Sequence, residues 1–286
     1  MLVFERTSND VQMQSPNDQS AIRFLQITDC HLGEEVGERL VGMDTDESLN
    51  LVIDLIKQRE LTNVAPDFIL ATGDLANHES AKAYQRLQEK LSVLSAPSAW
   101  LPGNHDNYQL MLDTVGAERV PKLVSIGRWR IVMLDSAVPG QVPGRLGEKQ
   151  IEDLGKTLAV IEEDAHVIIA LHHQPIKVGS EWIDGQRVED GEAFIESLSG
   201  DHRIKAVIWG HVHQEFEARD LRIASARLLA APSTCIQFKP NQIDFKLHEH
   251  SPGFRWFELY DDGDFKTGIE RLQGVQLAQD LSSSGY

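Results

Sequence analysis

Seven side chains in this sequence have the chemistry to hold a pair of cations: Asp29, His31, Asp74, Asn104, His172, His211 and His213. Each closely follows a short apolar run. Residues 24–28 lead into Asp29-Cys30-His31, 68–72 into Gly73-Asp74, and 99–102 into Gly103-Asn104-His105-Asp106. Residues 167–171 lead into His172-His173, and 206–209 into Gly210-His211-Val212-His213. Oxygen from Asp and Asn mixed with imidazole nitrogen suits Mn, Fe or Zn better than an all-oxygen Ca or Mg cage. Asp29 and His31 lie two apart, so an extended segment points both at one ion and Cys30 away from it. His211 and His213 repeat the spacing. Asp74, with two oxygens, is able to bridge two ions. After residue 171 either histidine fits; His172 is taken as the ligand and His173 as its support. Gly73, Gly103 and Gly210 sit where the backbone must turn sharply, often with positive φ.

An isolated Asp-x-His or Gly-Asp pair is commonplace, and His78, His166, His202, His248 and His250 have no comparable setting. Those five are expected on the surface or satisfied in the core. Five ligand-bearing endings are different, because they imply strands whose carboxyl ends converge, where ligands bind in open α/β sheets.

The positioning elements follow from the pattern. Apolar runs alternate with helical spacing over 47–58 and 80–94, and further helices are expected over 147–161 and 189–198. In the first, Leu49, Val52, Ile53, Leu55 and Ile56 mark one face. This alternation predicts an α/β sheet covered by helices. Short runs at 122–126, 129–134, 227–229, 234–238 and 254–259 predict a second, more antiparallel sheet packed on the first. Gly127-Arg128 and Asp262-Gly263 read as hairpin turns. Segments 136–147 and 177–187 read as surface loops. Residues 1–20 read as a loose, flexible arm, residues 21–275 as one domain, and 276–286 as a frayed tail.

The chain has 286 residues, 41% of them hydrophobic, enough for a full core. Its net charge of −17 opposes extended nucleic-acid binding. Two cysteines, Cys30 and Cys235, make no disulfide framework, and no run is long enough to span a membrane. A cytoplasmic protein is expected.

Taken together, Asp29-x-His31, Gly73-Asp74, Gly103-Asn104-His105-Asp106, His172 and Gly210-His211-x-His213 resemble the calcineurin-like metallophosphoesterase signature over about residues 22–272. Leu25–Asp29, Leu101–Asp106, Pro232-Ser233-Thr234-Cys235-Ile236-Gln237-Phe238-Lys239-Pro240 and Pro252-Gly253-Phe254-Arg255 are similar to bacterial class III 3′,5′-cyclic-AMP phosphodiesterases. The resemblance implies a two-sheet β-sandwich flanked by helices, four αββα layers. It also implies two metal ions per chain, Fe and/or Mn. Asp29, His31 and His213 would hold one, Asn104, His172 and His211 the other, with Asp74 between them.

The substrate would meet His31, Asp74, Asn104, His105, His172 and His213. Two cations clamp phosphoryl oxygens and turn a water held between them into a nucleophile near neutral pH. Attack on phosphorus would open cyclic AMP to 5′-AMP. His105, beside Asn104, is the expected proton donor to the ribose 3′-oxygen, and Asp106 either orients it or caps a loop. Ser233, Thr234 and Cys235 would lie near the adenine, and Lys239 and Arg255 near the phosphate. The alternative is a broad-specificity phosphodiesterase or phosphatase, and a scaffold without activity is disfavoured because every ligand position is filled. A small-molecule substrate, no nucleic acid, no membrane, and a monomer or homodimer complete the expectation.

Overall fold

A computed structural model describes residues 6–7, 10–13, 21–62 and 65–285. The early strands are β1 (Asp10–Met13), β2 (Ile22–Ile27), β3 (Phe68–Thr72) and β4 (Ser98–Leu101). A hairpin of β5 (Leu123–Ile126) and β6 (Trp129–Met133) follows, then β7 (His166–Ala170) and β8 (Ile204–Trp209). Next come β9 (Phe216–Ala218) and β10 (Arg227–Ala230), and last the hairpin β11 (Gly253–Leu259) and β12 (Phe265–Arg271). The main helices are α1 (Thr45–Leu61), α2 (Ala81–Leu91), α3 (Tyr108–Val115) and α4 (Gly147–Val160), with short α5 (Glu181–Asp184) and α6 (Gly191–Ser197).

One sheet has the order β12-β11-β2-β3-β4; the other runs from Arg6–Thr7 through β1-β5-β6-β7-β8-β10-β9. Between them, Phe24 stacks on Phe68 and Phe257, ring centroids 4.9 and 4.2 Å apart. Ile131, Ile168, Ala206 and Ile208 belong to the same inter-sheet core. Alternation along β2 puts Leu25 and Ile27 on the opposite face, in a cluster with Leu49, Val52 and Ile56 of α1 and Leu87 of α2. Leu154 and Leu158 of α4 and Phe194 of α6 cover the other sheet over Val167 and Ile169. The four αββα layers are those expected.

The assignment of strands to sheets differs from expectation. The 254–259 strand is not in the second sheet; it pairs antiparallel with β2, Phe257 opposite Phe24. The second sheet is mixed, since β6, β7, β8 and β10 are mutually parallel. Local alternation gives strand positions but not partners. The 234–238 run is a strand only at Gln237–Phe238, because Ser233 and Cys235 bond into the turn at Asp29 instead. Helix α3, with Asn107 accepting the amide of Leu110, was not expected: eight residues are too few to show a period.

Asp10–Met13, read as part of the loose arm, instead pairs parallel with β5 and buries Val11. The remainder of that arm, 1–5, 8–9 and 14–20, lies outside the described residues. The tail is likewise docked rather than frayed at its start. Leu277 packs against the core, and the amide of Asp280 donates to Val41 O at 2.8 Å. Segment 177–187, expected as a loop, contains α5. Among the described residues, no helix is long and apolar enough to cross a membrane.

Candidate metal centre

The carboxyl ends of β2, β3 and β4 from one sheet and β7 and β8 from the other meet at a single place. Gln26 joins the sheets just beneath it, its amide donating to Thr72 Oγ1 on β3 and to Trp209 O on β8. Five of the seven residues then leave their strands in the left-handed region, with φ of 54° at Asp29, 44° at His31, 50° at Asp74, 61° at His211 and 45° at His213. The extended Asp29–His31 arrangement is thus corrected: left-handed turns, not strand alternation, bring the pair together. Such conformations are costly for residues with a Cβ and gather at functional sites.

The glycines act differently from expectation too. Of Gly73, Gly103 and Gly210, only Gly73 has positive φ, at 92°. Gly103 and Gly210 are needed for close approach, since a Cβ would collide with Asp74 at the first and with Thr28 and Asp29 at the second.

The side chains form two groups. In one, His213 Nε2 lies 3.2 Å from Asp29 Oδ1 and 3.3 Å from His31 Nε2. In the other, His172 lies beside His211, ring centroids 5.1 Å apart. Asp74 stands between: its Oδ2 is 3.7 Å from His31 Nε2 and 3.2 Å from His172 Nε2. Its Oδ1 accepts the amide of His105. His105 also falls in one cluster with His31 and Asp74, ligand atoms within 4.8 Å of one another.

Backbone carbonyls set the ring orientations. His172 Nδ1 is 2.8 Å from Thr72 O, and His213 Nδ1 is 2.8 Å from Ile236 O. A carbonyl only accepts, so both Nδ1 atoms carry hydrogen and both Nε2 atoms face the cluster. His105 Nδ1 is held in the same way, 2.8 Å from Asn77 O. His173 is engaged on both sides, with Nδ1 at Ser136 Oγ (2.8 Å) and Nε2 at Val142 O (3.0 Å). Segment 136–147, expected as a surface loop, thereby reaches the site.

The electrostatics leave His31, His211 and Asp74 ready for a metal, while His172 keeps a proton near neutral pH that a cation would displace. Burial pushes His31 and His211 well below the ordinary histidine range, which keeps them neutral. Burial alone would raise Asp74, but His172 and His105 outweigh it and hold the carboxyl well below its usual value. Burial would lower His172, yet the facing Asp74 raises it to about 9. Asn104 Oδ1 and His211 Nε2 are buried with no hydrogen-bond partner among the described residues. Each such orphan costs about 1–3 kcal/mol, and a cation is the partner that satisfies an amide oxygen and an imidazole nitrogen together. The donor set fits two metal ions.

Other expected site residues lie elsewhere. Asp106 does not orient His105; its carboxylate accepts the amides of Leu75, Ala76 and Gly103 and caps the loop. Ser233 and Cys235 lie beneath the site, both donating to Asp29 O, and Thr234 is fully buried. Cys30 points into the core, as expected. Arg255 is buried, its guanidinium held by Ala230 O at 2.8 and 3.0 Å, so it does not approach the site. Lys239 does line the cavity above the cluster.

That cavity measures about 1150 Å³ and is shared by Asn104, His105 and His211. Its rim includes Trp182, segment 239–249 and residues 281–285 of the tail. Lys239 apart, the sequence pattern does not point to this rim, nor to the roles of Gln26 and the carbonyls of Thr72, Asn77 and Ile236. Trp182 lies in 177–187, read only as a loop, and Phe245 in a stretch to which the pattern assigns no element.

Comparison with known proteins agrees with the geometry. The calcineurin-like phosphoesterase model matches residues 22–215. The 3′,5′-cyclic adenosine monophosphate phosphodiesterase CpdA of Pseudomonas aeruginosa is 38% identical over 273 residues, covering 95% of this chain and 98% of that protein. Its counterpart in Escherichia coli (strain K12) is 39% identical over 273 residues, covering 94% and 96%. The fold is shared with a dimetal phosphatase from Danio rerio at TM-score 0.67 and 15% identity, over 92% of this chain and all of that one.

Proposed function

The chain belongs to the calcineurin-like phosphoesterase family, and we propose that it hydrolyses 3′,5′-cyclic AMP to 5′-AMP at the Asp/His/Asn cluster. One observation carries the reading: Asp74 stands between two ligand groups, and Asn104, His105 and His211 of the same site line a cavity large enough for a nucleotide. Near-full-length similarity to proteins named as cyclic-AMP phosphodiesterases supports the substrate.

Asp29, His31 and His213 would hold one ion, Asn104, His172 and His211 the second, and Asp74 both. Iron and manganese suit this borderline mixture of oxygen and nitrogen. When bound, the ions supply Lewis-acid stabilisation of phosphoryl charge and acidify a water molecule. The protein residues supply positioning and a proton. Thr72 O and Ile236 O fix the tautomers of His172 and His213, so neither ring needs to rotate to present Nε2. His105 is fixed through its Nδ1–H to Asn77 O and its amide to Asp74. Its Nε2 is the atom that gives a proton to the departing ribose 3′-oxygen. General-acid assistance of this kind contributes about 10²–10⁴-fold.

The cytoplasm is the proposed location, because both cysteines are free and buried. The net charge of −17 favours a small nucleotide over a polynucleotide. The test is hydrolysis by metal-reconstituted protein of 3′,5′-cyclic AMP, 2′,3′-cyclic AMP and bis(p-nitrophenyl) phosphate. A higher kcat/KM on 3′,5′-cyclic AMP, with 5′-AMP as product, supports the assignment. Preference for either of the others discards it in favour of a broad-specificity phosphodiesterase.

A further inference from the structure

We infer that Trp182 and Phe245 form a base-binding face on the cavity rim, where the purine ring of the nucleotide stacks. The assignment rests on the cyclic-nucleotide activity proposed for the same site. A cavity of about 1150 Å³ exceeds what a cyclic phosphate alone would fill. Its floor holds Asn104, His105 and His211, and its wall holds Trp182 and Phe245.

The wall is joined to the floor by packed rings. Phe238 lies flat on the candidate ligand His213, centroids 4.0 Å apart and planes 9° apart. Trp182 meets Phe238 edge-on at 4.9 Å, and Phe245 meets Trp182 edge-on at 5.1 Å. The aromatic group therefore begins at the metal centre and ends in the cavity. Aromatic faces held on a packed support are the usual platform for a nucleobase, because every base offers a π-face.

Exposure separates these rings from ordinary core aromatics. Both are half-buried, whereas Trp100 and Trp129 are fully buried. Trp100 and Trp129 also donate their indole N–H groups, to Ser98 Oγ and Tyr260 O. The Trp182 N–H has no acceptor among the described residues, a feature it shares with the fully buried Trp209, so its exposure to the cavity is what sets it apart. Lys239 and Lys246, joined by Lys239 N donating to Lys246 O at 2.8 Å, share this rim with Asp244 and Glu249, so charge of both signs borders the rings.

Calorimetric binding of 5′-AMP and of ribose 5-phosphate to metal-reconstituted protein tests the assignment, since the two differ by the base. The wild type is expected to bind 5′-AMP about tenfold more tightly or better. Trp182→Leu and Phe245→Leu should each remove most of that preference while leaving ribose 5-phosphate affinity and metal content unchanged. Trp182→Phe, which keeps an aromatic face, should retain it. No preference in the wild type, or equal loss of both ligands in Trp182→Leu and Phe245→Leu, overturns the base site. If 3′,5′-cyclic AMP is not hydrolysed but the 5′-AMP preference persists, the activity falls and the base site stands. Hydrolysis of 3′,5′-cyclic AMP without any base preference has the reverse meaning.

Discussion

The floor of the cavity and its rim are built in opposite ways. At the floor and directly beneath it, Asp29, His31, Asp74, His172, His211 and His213 are buried and sit at the ends of buried strands. Most of them are held in strained left-handed turns. On the rim, the short strands Gln237–Phe238 and Leu247–His248 carry a loop with exposed Lys239, Asp244 and Lys246, and the tail adds exposed Leu281 and Ser282. Strain of this kind persists only where surrounding structure over-determines it; two sheets converge to supply that on the floor, whereas the rim rests on short strands and the packed rings of Phe238, Trp182 and Phe245. The floor is therefore suited to fixed chemistry, and the rim to selecting what reaches it.

Breaking the floor should have the largest effect. Asp74→Ala takes a ligand from both groups at once, and metal-dependent turnover of 3′,5′-cyclic AMP is expected to fall to background in a steady-state assay. His105→Ala should keep both ions, measured by elemental analysis, yet lower kcat by about 10²–10⁴-fold. Unchanged turnover would remove His105 from the mechanism. Ser233→Ala loses the bonds that Oγ makes to Asp29 O and to the amide of Cys235. The expected result is metal affinity about 10–100-fold weaker in a chelator titration. The rim should respond less and differently. Leu281→Ser is expected to change KM about two- to fivefold with kcat unaltered; a matching fall in kcat would show that rim and floor are not separable.

The same division governs what was legible in the sequence. Asp29, His31, Asp74, Asn104, His172, His211 and His213 stood out because metal-binding chemistry demands those types, and each follows a strand that needs an apolar run. The carbonyls of Thr72, Asn77 and Ile236, which orient the histidines, left no trace, because any residue carries a carbonyl. His172 and His173 were inseparable by type; only the bonds of His173 to Ser136 and Val142 distinguish them. Asp106 was equally ambiguous until three amides were seen to converge on its carboxylate. Alternation predicted a helix-covered α/β sheet with a second sheet packed on it, and the family resemblance implied the four αββα layers, whereas the pairing of the 254–259 strand depends on distant partners. That strand, β11, joins β2 across more than two hundred residues, and local pattern has no access to such a pairing. The rim was illegible for another reason: loops have no period, and Trp182 and Phe245 are 63 positions apart.

The central claim is that Asp74 makes two ligand groups into one active unit. Its most direct test is a metal titration of the apo-protein, with bound ions per chain and 3′,5′-cyclic AMP turnover read on the same samples. Two ions per chain, with turnover rising as the second site fills, is the predicted result. Full turnover at one ion per chain, or two ions with full turnover in Asp74→Ala, would contradict it.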